Sequence, residues 1–323
     1  MPTPSILDEL LPAGGKAIEL AEAENRDTFL CSGHIDTDLD EQINVELDRA
    51  KTNRLGSLLL ILSTYGGDPH SAYKIARRLL QEYKTIDIFV PAMCKSAGTL
   101  LAVAAHNLIL GDRGELGPVD IQLRRRDELV SRASGLVESS AANSIEGVAW
   151  SLFHRFVREI TDLSTGNISF KTAAEVAGSI VTGVMAPVMG QVNPLKLGEN
   201  SRAMKIAVEY INRLESEAKN LKGPVPDTID TLVSKYPDHE FVIDRKEAAT
   251  LFNNVTAPNE SLIQLATSLP SWALLPYGRP LVMHLNGPTF RSMVENANSP
   301  TEETNESKQP AKPSAKPRSK PSK

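Results

Sequence analysis

Cysteine is scarce in this chain, basic excess is missing, and no apolar run is long. Only two of its 323 residues are cysteines, Cys31 and Cys94. Neither belongs to a CxxC pair or has a histidine at ligand spacing, so no disulfide framework and no structural zinc site is expected. Two reduced, buried thiols fit a cytoplasmic protein. The N-terminal stretch is acidic and lacks a basic segment followed by an apolar one, so no secretory leader is expected. The longest unbroken apolar runs, residues 58–62 and 100–105, fall far below the roughly 20 residues that span a bilayer, and no transmembrane segment is expected. The glycines of Gly111-Asp-Arg-Gly114 and of the segment starting at Gly183 do not have Walker or Rossmann spacing after a strand. No nucleotide, organic cofactor or metal is therefore expected. There is no internal repeat.

Charge is unevenly spread. The chain has 35 Lys and Arg against 40 Asp and Glu, a net −5. Residues 299–323 hold six basic and three acidic residues, so that stretch carries +3 and residues 1–298 carry −8. So acidic a body is a poor general binder of nucleic acid, and no nucleic-acid partner is expected. The tail is rich in Pro, Lys, Ser and Ala and has too little apolar surface to form a core.

What remains is ordinary globular material, with 41% apolar and 23% charged residues over a length that can bury a substantial core. The pattern predicts strands at residues 28–35, 57–63, 86–91 and 107–110. Residues 57–63 (SLLLILS) are nearly all apolar, as in a strand buried on both faces. A helix after Asp68 places Ala72, Ile75, Ala76, Leu79 and Leu80 on one side. A small-residue helix is expected over 96–106 (SAGTLLAVAAH), joined to the strand before it by a short link at 92–95. Strand, glycine turn, helix and strand in this order predict an α/β fold with right-handed crossovers and a parallel sheet. The second half reads as helical, with Ile145, Ala149, Leu152, Phe156, Ile160 and Leu163 on one face. A later helix shows Ala203, Ile206, Ala207, Tyr210, Ile211 and Leu214. Residues 131–144, rich in Ser, Ala and Gly, read as a mobile loop. Residues 1–25 read as an amphipathic arm broken at Pro12-Ala-Gly-Gly15. The expected organisation is that arm, one domain over 26–290, and a disordered tail over 291–323.

Three segments suggest chemistry when taken together. The expected strand at 57–63 runs into Ser63-Thr-Tyr-Gly-Gly-Asp68, where paired glycines allow close backbone approach and can turn N–H groups outward. In Lys95-Ser96-Ala97-Gly98-Thr99 a serine stands where a strand hands over to a helix N-terminus, beside a free N–H and the positive end of the helix dipole. Backbone N–H groups of Gly67 and Ala97 would form an oxyanion hole for acyl transfer. The third segment, residues 114–122 (GELGPVDIQ), can return a side chain toward Ser96. Alone, each has a plain alternative. The glycine pair can be a turn, Ser96 a helix N-cap, and Asp120 a structural turn residue.

Segments 63–79 (STYGGDPHSAYKIARRL), 89–110 (FVPAMCKSAGTLLAVAAHNLIL), 114–123 (GELGPVDIQL) and 236–251 (YPDHEFVIDRKEAATL) together resemble the Clp-type and signal-peptide-peptidase-A serine peptidases. The nearest branch is the serine dehydrogenase proteinase family. The resemblance runs from about Thr28 to Val255 and is loose over 123–235. It implies a Clp/crotonase-like fold of repeated β-β-α units with helical additions. It also implies a Ser96 nucleophile, a Gly66-Gly67 oxyanion strand, a peptide or protein substrate and a homo-oligomer. One element departs from the pattern. The position of the catalytic histidine in Clp-type enzymes falls here on Asp120–Ile121, so the general base a serine needs must come from elsewhere. His239 is the first candidate, with Asp120 orienting it, because a triad is defined by geometry and not by chain order. Lys235 is the second, as in a Ser–Lys dyad that needs a desolvated, neutral lysine. Lys171 is a third, and Lys95 adjoins the serine but points away from it. For His239 and Lys235 the plain alternative is a solvated surface residue. His34, His106, His154 and His284 read as structural, as does His70, although it is close enough to the glycine pair to line a groove. Two other functions stay open on sequence: a crotonase-like acyl-CoA enzyme in which Ser96 is incidental, and a catalytically silent scaffold or regulatory subunit.

Overall fold

Ser57–Ser63 forms the strand its composition demands, with leucines and isoleucine buried toward both sides of a sheet. The computed structural model describes residues 5–119, 135–165, 167–276 and 279–298. In chain order the first elements are α1 (Ile6–Glu24), β1 (Arg26–Ser32), α2 (Thr37–Ala50), β2 (Ser57–Ser63), α3 (Pro69–Glu82), β3 (Thr85–Val90) and β4 (Met93–Cys94). Then come α4 (Ala97–Ala102), β5 (Asn107–Leu110), β6 (Glu115–Leu116), α5 (Gly135–Leu163), α6 (Phe170–Met189) and α7 (Pro194–Ala218). α8 (Val225–Asp230) runs into a π turn at Thr231–Lys235. α9 (Arg245–Leu251), β7 (Val255–Thr256), α10 (Glu260–Ser268), α11 (Ser271–Leu274), β8 (Leu281–His284) and α12 (Pro288–Asn298) complete the described elements.

The main sheet has the order β7-β5-β3-β2-β1-β8. Every neighbouring pair in it is parallel except β1 with β8. The fold is thus α/β with a parallel-dominated sheet, as the strand and helix order requires. Successive residues point to opposite faces. Leu58, Leu60 and Leu62 enter a core shared with α2, α3, α4 and α7. Leu59 and Ile61 enter a second core shared with α1, α10, α11 and α12. Above the carboxyl ends of the strands lies a small parallel pair, β4 with β6. It is extended by bridges from Thr64 to Cys94 and from Leu116 to Ile243.

Several expectations need correction. Residues 6–24 form one helix through Pro12 and both glycines. Leu10, Ala13, Ala17 and Leu20 of that helix are buried in the second core, so it does not stand off as a broken arm. Gly14 is there because a Cβ would lie 2.6 Å from the Phe290 ring, not to make a turn. The loop expected over 131–144 is helical from Gly135 onward, and residues 131–134 lie outside the described residues. Of the disordered tail expected over 291–323, residues 291–298 instead continue the helix Pro288–Asn298, and those from 299 lie outside the described residues. The helix after Ser96 is shorter than expected and ends at Ala102. On α5 the inward face centres on Phe153, Phe156, Val157 and Ile160, while Leu163 is exposed. Counting unbroken apolar runs also overlooked α6, which by length and composition alone is apolar enough to cross a membrane. Its apolar residues are interspersed with Gly, Ser and Thr.

Candidate functional site

Parallel α/β sheets gather ligands at the carboxyl ends of their strands, and there β2 and β4 deliver the glycine pair and Ser96. β4 is held on the extension of β2 by Thr64 N–H to Met93 O (3.0 Å) and Lys95 N–H to Thr64 O (3.0 Å). Ser96 then turns the chain into α4 with φ 50° and ψ −114°, and its side chain makes no capping hydrogen bond. That geometry separates two readings of the serine. An N-cap residue sits in the extended region with its hydroxyl bonded to the first helical turn. Ser96 does neither, and a non-glycine residue at these angles is strained by about 1–3 kcal/mol. Asn25, which also has positive φ, is instead an ordinary left-handed helix cap with ψ 51°. A strained strand-to-helix turn is the arrangement that presents a nucleophilic serine.

The glycine pair is fitted to this turn. Gly66 has φ 94°, and a Cβ there would lie 2.8 Å from Cβ of Ser96 and 2.7 Å from Lys95 O. Gly67 has φ 153°, and a Cβ there would strike the backbone of Ile35. Ile35 donates to Gly66 O (2.9 Å) and accepts from Asp68 N–H (2.7 Å). This parallel bridge uses the groups flanking Gly67 and leaves the Gly67 N–H facing the other way. Among the described residues it has no backbone acceptor, and neither does the Ala97 N–H that opens α4. Ser96 therefore stands against Gly66, which also lies beside the Ala97 N. Asp68 caps α3 by accepting from Ser71 N–H (2.8 Å), which fixes where the glycine strand ends.

Lys95 performs a task that spacing could not reveal. Its side chain is 5% exposed and ion-paired to Glu115 at 2.9 Å. Its Nζ also lies 3.3 Å from Phe241 O and 3.5 Å from Leu116 O and Glu240 O. With the Leu116–Ile243 bridge, it fastens the segment after His239 to the residue adjoining Ser96.

The structure thus brings Ser96, Gly66, Gly67 and Ala97 together, and through Lys95 it ties the His239 segment to the same place. Asp120 lies outside the described residues. Lys235 is 54% exposed and pairs with Asp230 at 3.2 Å. Hydrogen bonds from Ser234, then from Lys235, hold the Asp230 carboxyl below its usual range. Lys171 is 85% exposed on α6, with Glu175 4.0 Å away. Both lysines are open to solvent and lie beside a carboxylate. His70 Nδ1 lies 2.8 Å from the Tyr210 hydroxyl, and Tyr210 stacks on Tyr73 at 4.2 Å. This aromatic group joins α7 to α3 just beyond the glycines and had no sequence signal, because Tyr210 is far away along the chain.

Among the described residues no cluster of His, Cys, Asp or Glu could hold a metal. Burial pushes the Cys31 thiol up to about 12 and the Cys94 thiol further up, so neither is poised as a nucleophile. A cleft of about 540 Å³ lined by Gly111, Asp112, Asp244, Arg245 and Lys246 involves none of the residues around Ser96. Its Arg245 is already bonded to Leu110 O and Asp112.

Fold and site together define an α/β protein with a strained serine at the carboxyl end of a parallel sheet. No protein-family model matches the chain. The uncharacterized protein MJ0137 of Methanocaldococcus jannaschii is 41% identical over 64 residues, which is 20% of this chain and 22% of that protein. Among solved structures, the chain is similar to two mutant forms of the 1510-N membrane-bound stomatin-specific protease. The first, in complex with a substrate peptide, has 13% identity and a TM-score of 0.41 over 82% of this chain and 93% of the other. The second has 18% identity and a TM-score of 0.27 over 44% and 64%. Likeness at these TM-scores assigns no activity to this chain.

Proposed function

We propose that this chain is a serine endopeptidase of the Clp type, acting in the cytoplasm as a homo-oligomer. The observation that carries the proposal is the Ser96 turn, strained, uncapped and closed over by Gly66. Ser96 Oγ attacks the carbonyl carbon of a peptide, and His239 takes its proton as general base. The negative oxygen of the tetrahedral intermediate is held by the N–H groups of Gly67 and Ala97. His239 returns the proton to the leaving amine, and water then hydrolyses the acyl-enzyme by the same steps. Asp120 orients His239. An extended substrate adds as a strand along Gly66-Gly67, whose backbone supplies its hydrogen bonds. No metal or organic cofactor takes part. His239 is favoured over Lys235 because a lysine base must be neutral, and Lys235 is solvated and ion-paired.

A fluorophosphonate probe tests the nucleophile. One adduct on Ser96, lost in Ser96→Ala, is expected. Labelling that survives Ser96→Ala, or no labelling of the intact protein, would sink the peptidase reading. The base is tested by labelling rate, with His239→Ala expected to slow it by about 10²-fold or more and Lys235→Ala to leave it unchanged. Wild-type rates in both variants would refute both assignments.

A further inference from the structure

The hairpin of α5 and α6 carries an apolar face that nothing in the described chain covers. Val176, Ile180, Val184 and Val188 follow at four-residue spacing on α6 and are 40–51% exposed. Trp150 and Val148 of α5 are exposed as well. No charged residue occurs from Val176 to Met189. The hairpin's own core has three buried residues, Val157, Ala173 and Ala177.

Residues four apart form a ridge along a helix, and two such ridges pack by interdigitation at about −50°. Beside this ridge runs a low row, Ser179, Gly183 and Pro187. Among the described residues no atom lies within 4 Å of where a Cβ would sit at Gly178 or Gly183, so no described neighbour requires glycine there. Mid-helix glycine is otherwise disfavoured, which leaves close approach from outside as the use for that space. A ridge and a groove on one helix are self-complementary, the condition for a two-fold contact.

We propose that α6, with the adjoining surface of α5, is where a second copy of this chain docks, ridge into groove. A slab two helices wide, each about 30 Å long and 10 Å across, offers about 600 Å² per copy. The pair would bury about 1,200 Å², the lower edge of stable specific interfaces. A lipid bilayer fits the face less well. α5 packs on α6 and bears Glu146, Arg155, Arg158, Glu159 and Asp162, charges that a bilayer enclosing α6 would have to enclose too. Nor is there the basic flank of a helix lying on an anionic membrane. Residues 135–190 hold three basic residues (Arg155, Arg158, Lys171) against five acidic ones (Glu138, Glu146, Glu159, Asp162, Glu175). The docking site does not depend on the peptidase chemistry, since its readouts are mass and proximity.

Sedimentation velocity of the full chain at micromolar concentration should give the mass of two or more copies. The double variant Ile180→Asp with Val184→Asp should sediment as one copy with an unchanged far-UV circular dichroism spectrum. As a check free of folding effects, Ser179→Cys should give dimers with a short bismaleimide, and Gln264→Cys on the exposed side of α10 should not. The proposal is overturned by a monomeric wild type, by cross-linking that is equal at the two positions, or by an oligomer that survives the double variant with Ser179→Cys uncross-linked. Flotation of a monomeric wild type with phosphatidylcholine/phosphatidylglycerol vesicles overturns it in favour of lipid.

Discussion

Strain at Ser96 is maintained by the residues packed against it, and Gly66 is the closest of them. A methyl group at Gly66 would displace either Ser96 Cβ or Lys95 O while holding a positive φ that alanine resists. Gly66→Ala is expected to cost about 1–3 kcal/mol in urea unfolding and to abolish labelling of Ser96. Gly147→Ala, in the interior of α5 with nothing within 4 Å of the added carbon, should be neutral or stabilising. A Gly66→Ala variant that labels at the wild-type rate would show that the turn does not position the serine. At this scale the sequence was informative about types and silent about angles. The pairing of Gly-Gly with a later serine was legible, because spacing across one strand constrains where both end up. The uncapped, strained state of Ser96 was not, since a serine before a helix reads as a cap until its dihedrals are known.

Among elements, the short pieces around the site depend on one buried cation. Lys95 ties Glu115, Leu116 and the carbonyls of Glu240 and Phe241 to a single ammonium. Lys95→Met removes it and leaves Glu115 without its partner. Because Glu115 keeps partial access to water, the expected loss is about 1–3 kcal/mol, below that of a fully buried pair. Hydrogen exchange should rise in residues 238–243 more than in the main sheet, and uniform protection across both would refute the clamp. Strand β2 was legible to the residue, as was β5, because short apolar runs between polar or glycine boundaries leave little freedom of register. α2 had no counterpart among the expected elements, although Leu39, Ile43 and Leu47 recur at four-residue spacing behind the Asp36 cap. α1 was misjudged for a physical reason. Pro12 and two glycines are local helix breakers, and burial against Phe290 and α10 outweighs them.

For the molecule as a whole, two thiols fully enclosed by the core report on its integrity. Cys31 is raised from an ordinary 9.0 to about 12 by burial, and Cys94 is raised by the same cause. A thiol whose folded pKa is raised favours the folded state fully below its unfolded pKa. That contribution is lost as pH rises from about 9 toward the folded value. Stability should therefore fall between pH 8 and pH 10, by roughly 1 kcal/mol per pH unit for each thiol once above 9, as read from urea midpoints. Both thiols should resist iodoacetamide in native buffer and react in denaturing urea. Rapid alkylation of the folded protein would refute their enclosure. The strand order also has a consequence in time. β1 is made early, yet its outer edge is closed by β8, with Phe29 opposite His284 and Thr28 N–H bonded to Asn286. α1 likewise finds its partners in α10 and α12. At ~5–20 residues per second of synthesis, roughly 10–50 s separate β1 from the strand that covers it. During that interval the growing chain exposes an open sheet edge and the apolar side of its first helix. A ribosome-bound nascent chain stalled before residue 281 should thus be a substrate for holding chaperones, and emergence of residues 281–298, which carry β8 and α12, should end that dependence.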